Sequence, residues 1–122
     1  MALRSEQGTT MQLTIEEIPG GITKAVLDGR MDIEGAGAVD MRLNVISGTA
    51  AKLLIDLSKV SFLASMGLRT LMTSARSIKS KGRKMALAAP QPNIEKVLRS
   101  SGIDEVVEIY PTVDAAVAAL SK

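Results

Sequence analysis

The side chains of this sequence that could do chemistry are hydroxyls and carboxylates, because the chain contains no histidine and no cysteine. That removes Ser-His-Asp and Cys-His catalysis, histidine phosphorelay, disulfides and nearly every zinc or copper site. Among the hydroxyls, Ser65 stands directly ahead of a helical pattern. Leu68, Leu71, Met72, Ala75 and Ile78 recur at three- and four-residue steps and line one helix face, with Arg69, Thr73, Arg76 and Ser80 mainly on the others. A serine so placed reads as a helix N-cap, its hydroxyl aimed at backbone N–H groups that have no helical partner. The same place can take a phosphate, whose nearly two negative charges would meet the positive end of the helix dipole. Gly67 would let a partner's active site come close to that serine; its plainer reading is tight helix-to-strand packing. Leu63 reads as core, while Met66, adaptable and apolar, suits a partner groove.

The carboxylates admit two further readings. Asp56 follows the apolar run Leu53-Leu54-Ile55, as the aspartyl-phosphate site of a receiver domain would. The acidic pair that such a domain needs at the end of its first strand is missing, because Ile15-Glu16-Glu17-Ile18 runs into the turn Pro19-Gly20-Gly21. Asp28, Asp32 and Asp56 could instead be oxygen ligands of a metal-dependent enzyme. Nothing in their spacing singles them out, and surface carboxylates are the commoner case. Asp32 also precedes a helical stripe and reads as its cap.

These residues need a scaffold, and the chain supplies one of regular alternation. Met11 to Glu16 alternates as a half-buried strand does, the Pro-Gly-Gly turn follows, and Ile22 to Leu27 is the returning strand of a hairpin. Gly29 marks a bulge or bend. Ala36, Val39, Leu43 and Ile46 form a helical stripe that ends before Gly48. The buried strand beginning at Leu53 and the helix after Ser65 come next, the helix ending at Lys81-Gly82. Met85 to Ala89 is a short strand stopped by Pro90. Pro92-Asn93 opens a helix with Ile94, Val97, Leu98 and Ser101 on one side, and Gly102 closes it. Val106 to Ile109 is the last strand, and Thr112 caps a final helix carrying Val113, Ala116, Val117 and Leu120. The order is β-β-α-β-α-β-α-β-α. It predicts an α/β fold with a mixed sheet of about five strands and about four helices, joined by right-handed crossovers.

Composition narrows the function classes. The length, 122 residues, suits one domain. Residues 1–10 are polar and aperiodic and read as a flexible end, with the domain over 11–122. Aromatic residues make up 2%, so the core is aliphatic and bases or sugars would find almost nothing to stack on. Between Leu57 and Ile94 there is no acidic residue, while Lys59, Arg69, Arg76, Lys79, Lys81, Arg83 and Lys84 are basic. That reads as a solvated face and a helix end complementing its dipole, or as a surface for an acidic partner. Nucleic acid is the poorer reading. No apolar run approaches the roughly 18 residues of a membrane span. Met1 to Gly8 holds no signal-peptide core, so the protein is expected in the cytoplasm.

The stretch from Asp56 to Leu68 resembles the signature of the STAS domain, and within it of the bacterial anti-sigma factor antagonists. Asp56, Ser58, Val60, Phe62, Ser65, Gly67 and Leu68 match the family pattern in order and spacing. Leu27-Asp28-Gly29-Arg30-Met31-Asp32 resembles the family's second signature. The resemblance covers roughly residues 11 to 120. It implies that Ser65 is the serine phosphorylated by a partner kinase, and that Asp32 lies near it at the kinase contact. It further implies a partner-binding surface of Asp32, Ala64, Ser65, Met66, Gly67 and Arg69. The implied partners are an anti-sigma factor and serine kinase of the histidine-kinase-like ATPase fold, and a PP2C-type phosphatase. The protein itself would be no enzyme and would need no cofactor. Ala64 stands where the family usually has Asp, and Met66 where it usually has a second small hydroxyl residue. Those departures keep open a STAS module of another assembly: a lipid-transport complex, a stress-signalling assembly or a secretion regulator.

Overall fold

The structure is a computed structural model and describes residues 11–122; the flexible end expected over 1–10 lies outside them. Five strands form one sheet in chain order. They are β1 (Met11–Ile18), β2 (Ile22–Met31), β3 (Lys52–Leu63), β4 (Lys84–Ala88) and β5 (Glu108–Tyr110). β1 and β2 pair antiparallel across the Pro-Gly-Gly turn, where Gly20 and Gly21 take positive φ, and the remaining neighbours are parallel. The helices are α1 (Ile33–Thr49), α2 (Ser65–Ser80), α3 (Pro92–Ser101) and α4 (Val113–Leu120).

Strand order equals chain order, so β2-α1-β3, β3-α2-β4 and β4-α3-β5 all step in one direction. Right-handed crossovers then place α1, α2 and α3 on one face of the sheet. The core follows suit. Val39, Leu43, Leu71, Ile78, Ile94 and Leu98 pack on Ala25, Leu27, Leu53, Ile55 and Leu57. α4 covers the other face, where Ala116 and Leu120 meet Ile22, Leu54, Ala86 and Ala88. With both faces covered, Leu53, Leu54 and Ile55 are buried without a break, which is why they read as a continuous apolar run.

Both strands that lead to the site are longer than their patterns suggest: β2 runs to Met31 and β3 to Leu63. The reason lies in the register. Val26 pairs with Asp56 but Asp28 with Lys59, and Gly29 with Val60 but Arg30 with Phe62. Each step inserts one extra residue in β3, so two bulges stretch the inward spacing from two residues to three. Leu57, Val60 and Leu63 therefore all face the core, while Ser58, Lys59, Ser61 and Phe62 are exposed. Asp56 holds the first bulge, its Oδ1 accepting the Ser58 N–H at 2.9 Å. Gly29, at φ 128°, lies opposite the second, where the Ser61 hydroxyl donates to its carbonyl at 3.3 Å.

Other boundaries shift less. α1 continues through Gly48 to Thr49, and β5 begins at Glu108 because a 3-10 turn over Ile103–Glu105 follows the left-handed Gly102. Thr112 caps α4 as expected, its Oγ1 accepting the Ala115 N–H at 3.0 Å.

Candidate functional site

The parallel strands β2, β3 and β4 all end at one edge of the sheet, and α1, α2 and α3 all begin there. Met31 and Leu63 are register partners at the ends of β2 and β3, so Asp32 and Ala64 follow at equivalent places one strand spacing apart, about 4.8 Å. The Ala64 N–H donates to the Met31 carbonyl at 3.0 Å and ties the two exits together.

Ala64, not Ser65, is the N-cap of α2. Its backbone has the extended geometry of a cap (φ −97°, ψ 174°), but a methyl group cannot accept a hydrogen bond. Ser65 is the first helical residue. This corrects the capping role expected from sequence: the two bulges carry β3 on to Leu63, leaving one residue for the joint. Ser65 is exposed, and no described residue bonds its hydroxyl. The first helical bond at this end runs from Leu68 N–H to the Ala64 carbonyl at 3.0 Å, so the N–H groups of Ser65, Met66 and Gly67 precede the ladder.

Gly67 turns inward. A Cβ there would lie 2.7 Å from Leu63 Cδ1 and 2.8 Å from both Met31 Cγ and the Met31 carbonyl oxygen. Its glycine is required by close approach of α2 to the strand exits. Being buried, it offers no side-chain surface to a partner, which corrects the expectation of an open approach there. Met66 is 40% exposed and Arg69 points outward one turn on. No described residue forms an ion pair with Arg69.

Asp32 caps α1, its Oδ1 accepting the Gly35 N–H at 2.8 Å. Its Oδ2 lies 3.6 Å from Arg30 Nε, and the Arg30 guanidinium sits 4.5 Å from the centre of the Phe62 ring. Arg30 thus links Asp32 to Phe62, and the exposed Ile33 follows Asp32 in the chain. The sequence reading did not place them at the site. Their signal was that Ile33 and Phe62 are large apolar residues just off the buried stripes.

The first turn of α2 forms a ridge between two depressions. On the α1 side a groove of about 490 Å³ is lined by Ala36, Gly37, Asp40, Met41, Met66 and Arg69, among others. Thr70 braces its floor, donating to Asp40 Oδ1 at 3.3 Å or to the Met66 carbonyl at 3.1 Å. On the α3 side a shallower depression of about 340 Å³ is lined by Ser65, Met66, Leu68, Arg69, Met72 and Ser101. The arrangement can present a hydroxyl, a methionine and an arginine to another protein.

The other carboxylates are elsewhere. Asp56 is buried at the bulge with Lys24 Nζ 4.0 Å away, and Asp28 is exposed opposite Lys59. Among the described residues no group of three or more His, Cys, Asp or Glu side chains is gathered as a metal site. Also among them, no helix is long and apolar enough to cross a membrane.

Known proteins share this fold. A crystal structure of an anti-sigma factor antagonist from Mycobacterium paratuberculosis superposes with a TM-score of 0.84 at 26% identity, over 92% of this chain and 95% of that one. Unphosphorylated SpoIIAA, also an anti-sigma factor antagonist, gives 0.74 at 17% identity over 89% and 96%, a likeness of fold. In sequence, a Thermotoga maritima protein with a provisional anti-sigma factor antagonist name is 34% identical over 65 residues. That match covers 53% of this chain and 58% of the relative, so it spans little more than half of that relative's length. Residues 14–116 match the STAS domain family, and the chain belongs to it.

Proposed function

We propose that the protein is an anti-sigma factor antagonist that works by partner switching. In its unphosphorylated form it binds an anti-sigma factor and serine kinase of the histidine-kinase-like ATPase fold, and so frees the sigma factor in the cytoplasm. The kinase switches it off at Ser65. The Ser65 oxygen attacks the γ-phosphorus of ATP, its proton leaves to the kinase, and the bond to ADP breaks. A PP2C-type phosphatase restores the hydroxyl by hydrolysis. The chain does no chemistry of its own.

One observation carries this reading: Ser65 is exposed at the head of α2, its hydroxyl bonded by no described residue, on a ridge with Met66 and Arg69 between two grooves. A hydroxyl there can enter another protein's active site without unfolding anything. Once phosphorylated, the same ridge would press nearly two negative charges into an interface, and unpaired charges that lose water cost several kcal/mol. Asp32, with Arg30 and Phe62, belongs to the same contact in this reading, since its strand exit adjoins that of Ala64.

Ala64 favours a second reading. It leaves the helix start without a side-chain cap and without the carboxylate usual beside the acceptor, as a STAS module that has lost the switch would. Such a module would serve a lipid-transport complex, a stress-signalling assembly or a secretion regulator. Intact-mass measurement of the protein from its native cells, before and after phosphatase treatment, separates the two. A phosphatase-sensitive gain of one phosphate that vanishes in Ser65→Ala supports switching; a single unmodified mass under all growth conditions favours the second reading.

A further inference from the structure

The outer face of α1 carries an apolar stripe among its charged and polar residues. Val39, Leu43 and Ile46 are buried against the sheet, yet Ile33, Met41 and Val45 on the outer side are 72%, 77% and 62% exposed. They are the most exposed large apolar side chains among the described residues. A helix on one face of a sheet normally turns charged and polar residues to water on its outer side. The neighbouring α2 does so and turns Arg69, Thr73 and Arg76 outward. Ile33, Gly37, Met41 and Val45 follow at four-residue steps and form one ridge, about 18 Å long at 1.5 Å per residue. Gly37 is a gap in that ridge, since a Cβ there would meet nothing within 4 Å. Glu34 and Arg42 flank the ridge on one side. Arg42 uses one guanidinium nitrogen on the Leu13 carbonyl at 3.1 Å, and its remaining donors stay available.

The geometry points to a second copy of this chain as the occupant of this face. Two α1 helices packed antiparallel about a two-fold axis near Ala38 and Val39 put Met41 of each over Gly37 of the other. The same operation sets Ile33 against Val45 and Glu34 beside Arg42, each twice. An isologous contact demands this kind of self-complementarity, with opposite charges on either side of the same centre. A chemically different partner would place no such condition on Glu34 and Arg42. A single helix pair buries less than the standard interface of about 1,600 Å², so the dimer is weak, with dissociation in the micromolar range or above. Gly37 and Met41 also line the groove beside the Ser65 ridge, so this contact covers that groove, but it does not require phosphorylation of Ser65.

The test is sedimentation velocity of the full chain from micromolar to millimolar concentration. The wild type shows a monomer–dimer equilibrium, and Met41→Glu abolishes it with an unchanged circular dichroism spectrum. Arg42→Glu weakens dimerisation by about tenfold or more, because two like-charge contacts replace two opposite ones. Adding Glu34→Arg to Arg42→Glu restores it, which a merely destabilised monomer would not do. A wild type that stays monomeric at millimolar concentration overturns the proposal and leaves the face to residues 1–10 or to another protein. A dimer that survives Met41→Glu, or a paired reversal that fails to recover, overturns it as well.

Discussion

Replacing Gly67 by Ala tests how tightly α2 is held against the strand exits. Three atoms stand in the way of the new methyl, at 2.7, 2.8 and 2.8 Å, where ordinary contact begins at 3.4 Å. Two of them, Leu63 Cδ1 and Met31 Cγ, belong to side chains that can rotate. The third is the Met31 carbonyl oxygen, and it cannot yield, because it accepts the Ala64 N–H that joins the two exits. The start of α2 must back away by about 0.6 Å instead. Overpacking of this kind costs about 1–3 kcal/mol, against a gain of up to about 1 kcal/mol from the better helix former. The net loss is up to about 2 kcal/mol, which lowers the melting temperature by up to about 8 °C in a domain of this size. Gly37→Ala is the control. It makes the same chemical change in α1 where the added carbon meets nothing, and it raises stability by about 0.4–1 kcal/mol. Thermal and urea unfolding of both variants beside the wild type measure the pair. If Gly67→Ala melts at or above the wild type, the packing argument is wrong. Because the displaced turn carries Ser65 and Met66, Gly67→Ala also weakens binding to the cognate partner without touching it.

Ala64→Asp supplies the missing cap on a backbone already shaped for it and raises stability by about 1 kcal/mol, read as a higher urea midpoint; no gain would mean that those N–H groups are satisfied otherwise. Ser65→Ala leaves the melting curve within about 0.5 kcal/mol of wild type, since Ser65 caps nothing, and a larger loss would restore it to a capping role. Ser65→Asp folds normally but loses the cognate partner by orders of magnitude in a titration, and equal binding would refute charge as the off-signal. Ser74 is buried in α2 with a hydroxyl that has no hydrogen-bond partner among the described residues, so Ser74→Ala is neutral or stabilising by up to about 1 kcal/mol, and a clear loss in a melt would reveal a hidden partner.

Much of this protein is local enough to read from its order of residues. The alternation of Met11 to Glu16, the three- and four-residue steps after Ser65, and the punctuation by Pro19-Gly20-Gly21, Gly82 and Gly102 depend on neighbours a few places away. They yield the element order; the face on which each helix lies also needed the strand order, which only the folded sheet shows. Asp32 as a cap was legible for the same reason, since a carboxylate reaches N–H groups three residues on. What lay beyond reach depends on the partner strand. A bulge is a mismatch between two strands, so β3 alone shows only polar residues at Ser58 and Lys59 and looks like the end of a strand. Pairing with β2 keeps it extended to Leu63, moves the cap from Ser65 to Ala64, and frees the Ser65 hydroxyl. Gly67 is similar: any glycine near a helix start can serve flexibility or space. Only the Met31 carbonyl, 36 residues earlier and 2.8 Å from the absent Cβ, makes it a packing requirement. The outward side of α1 is legible as composition, but its exposure exists only once the sheet has taken the other side.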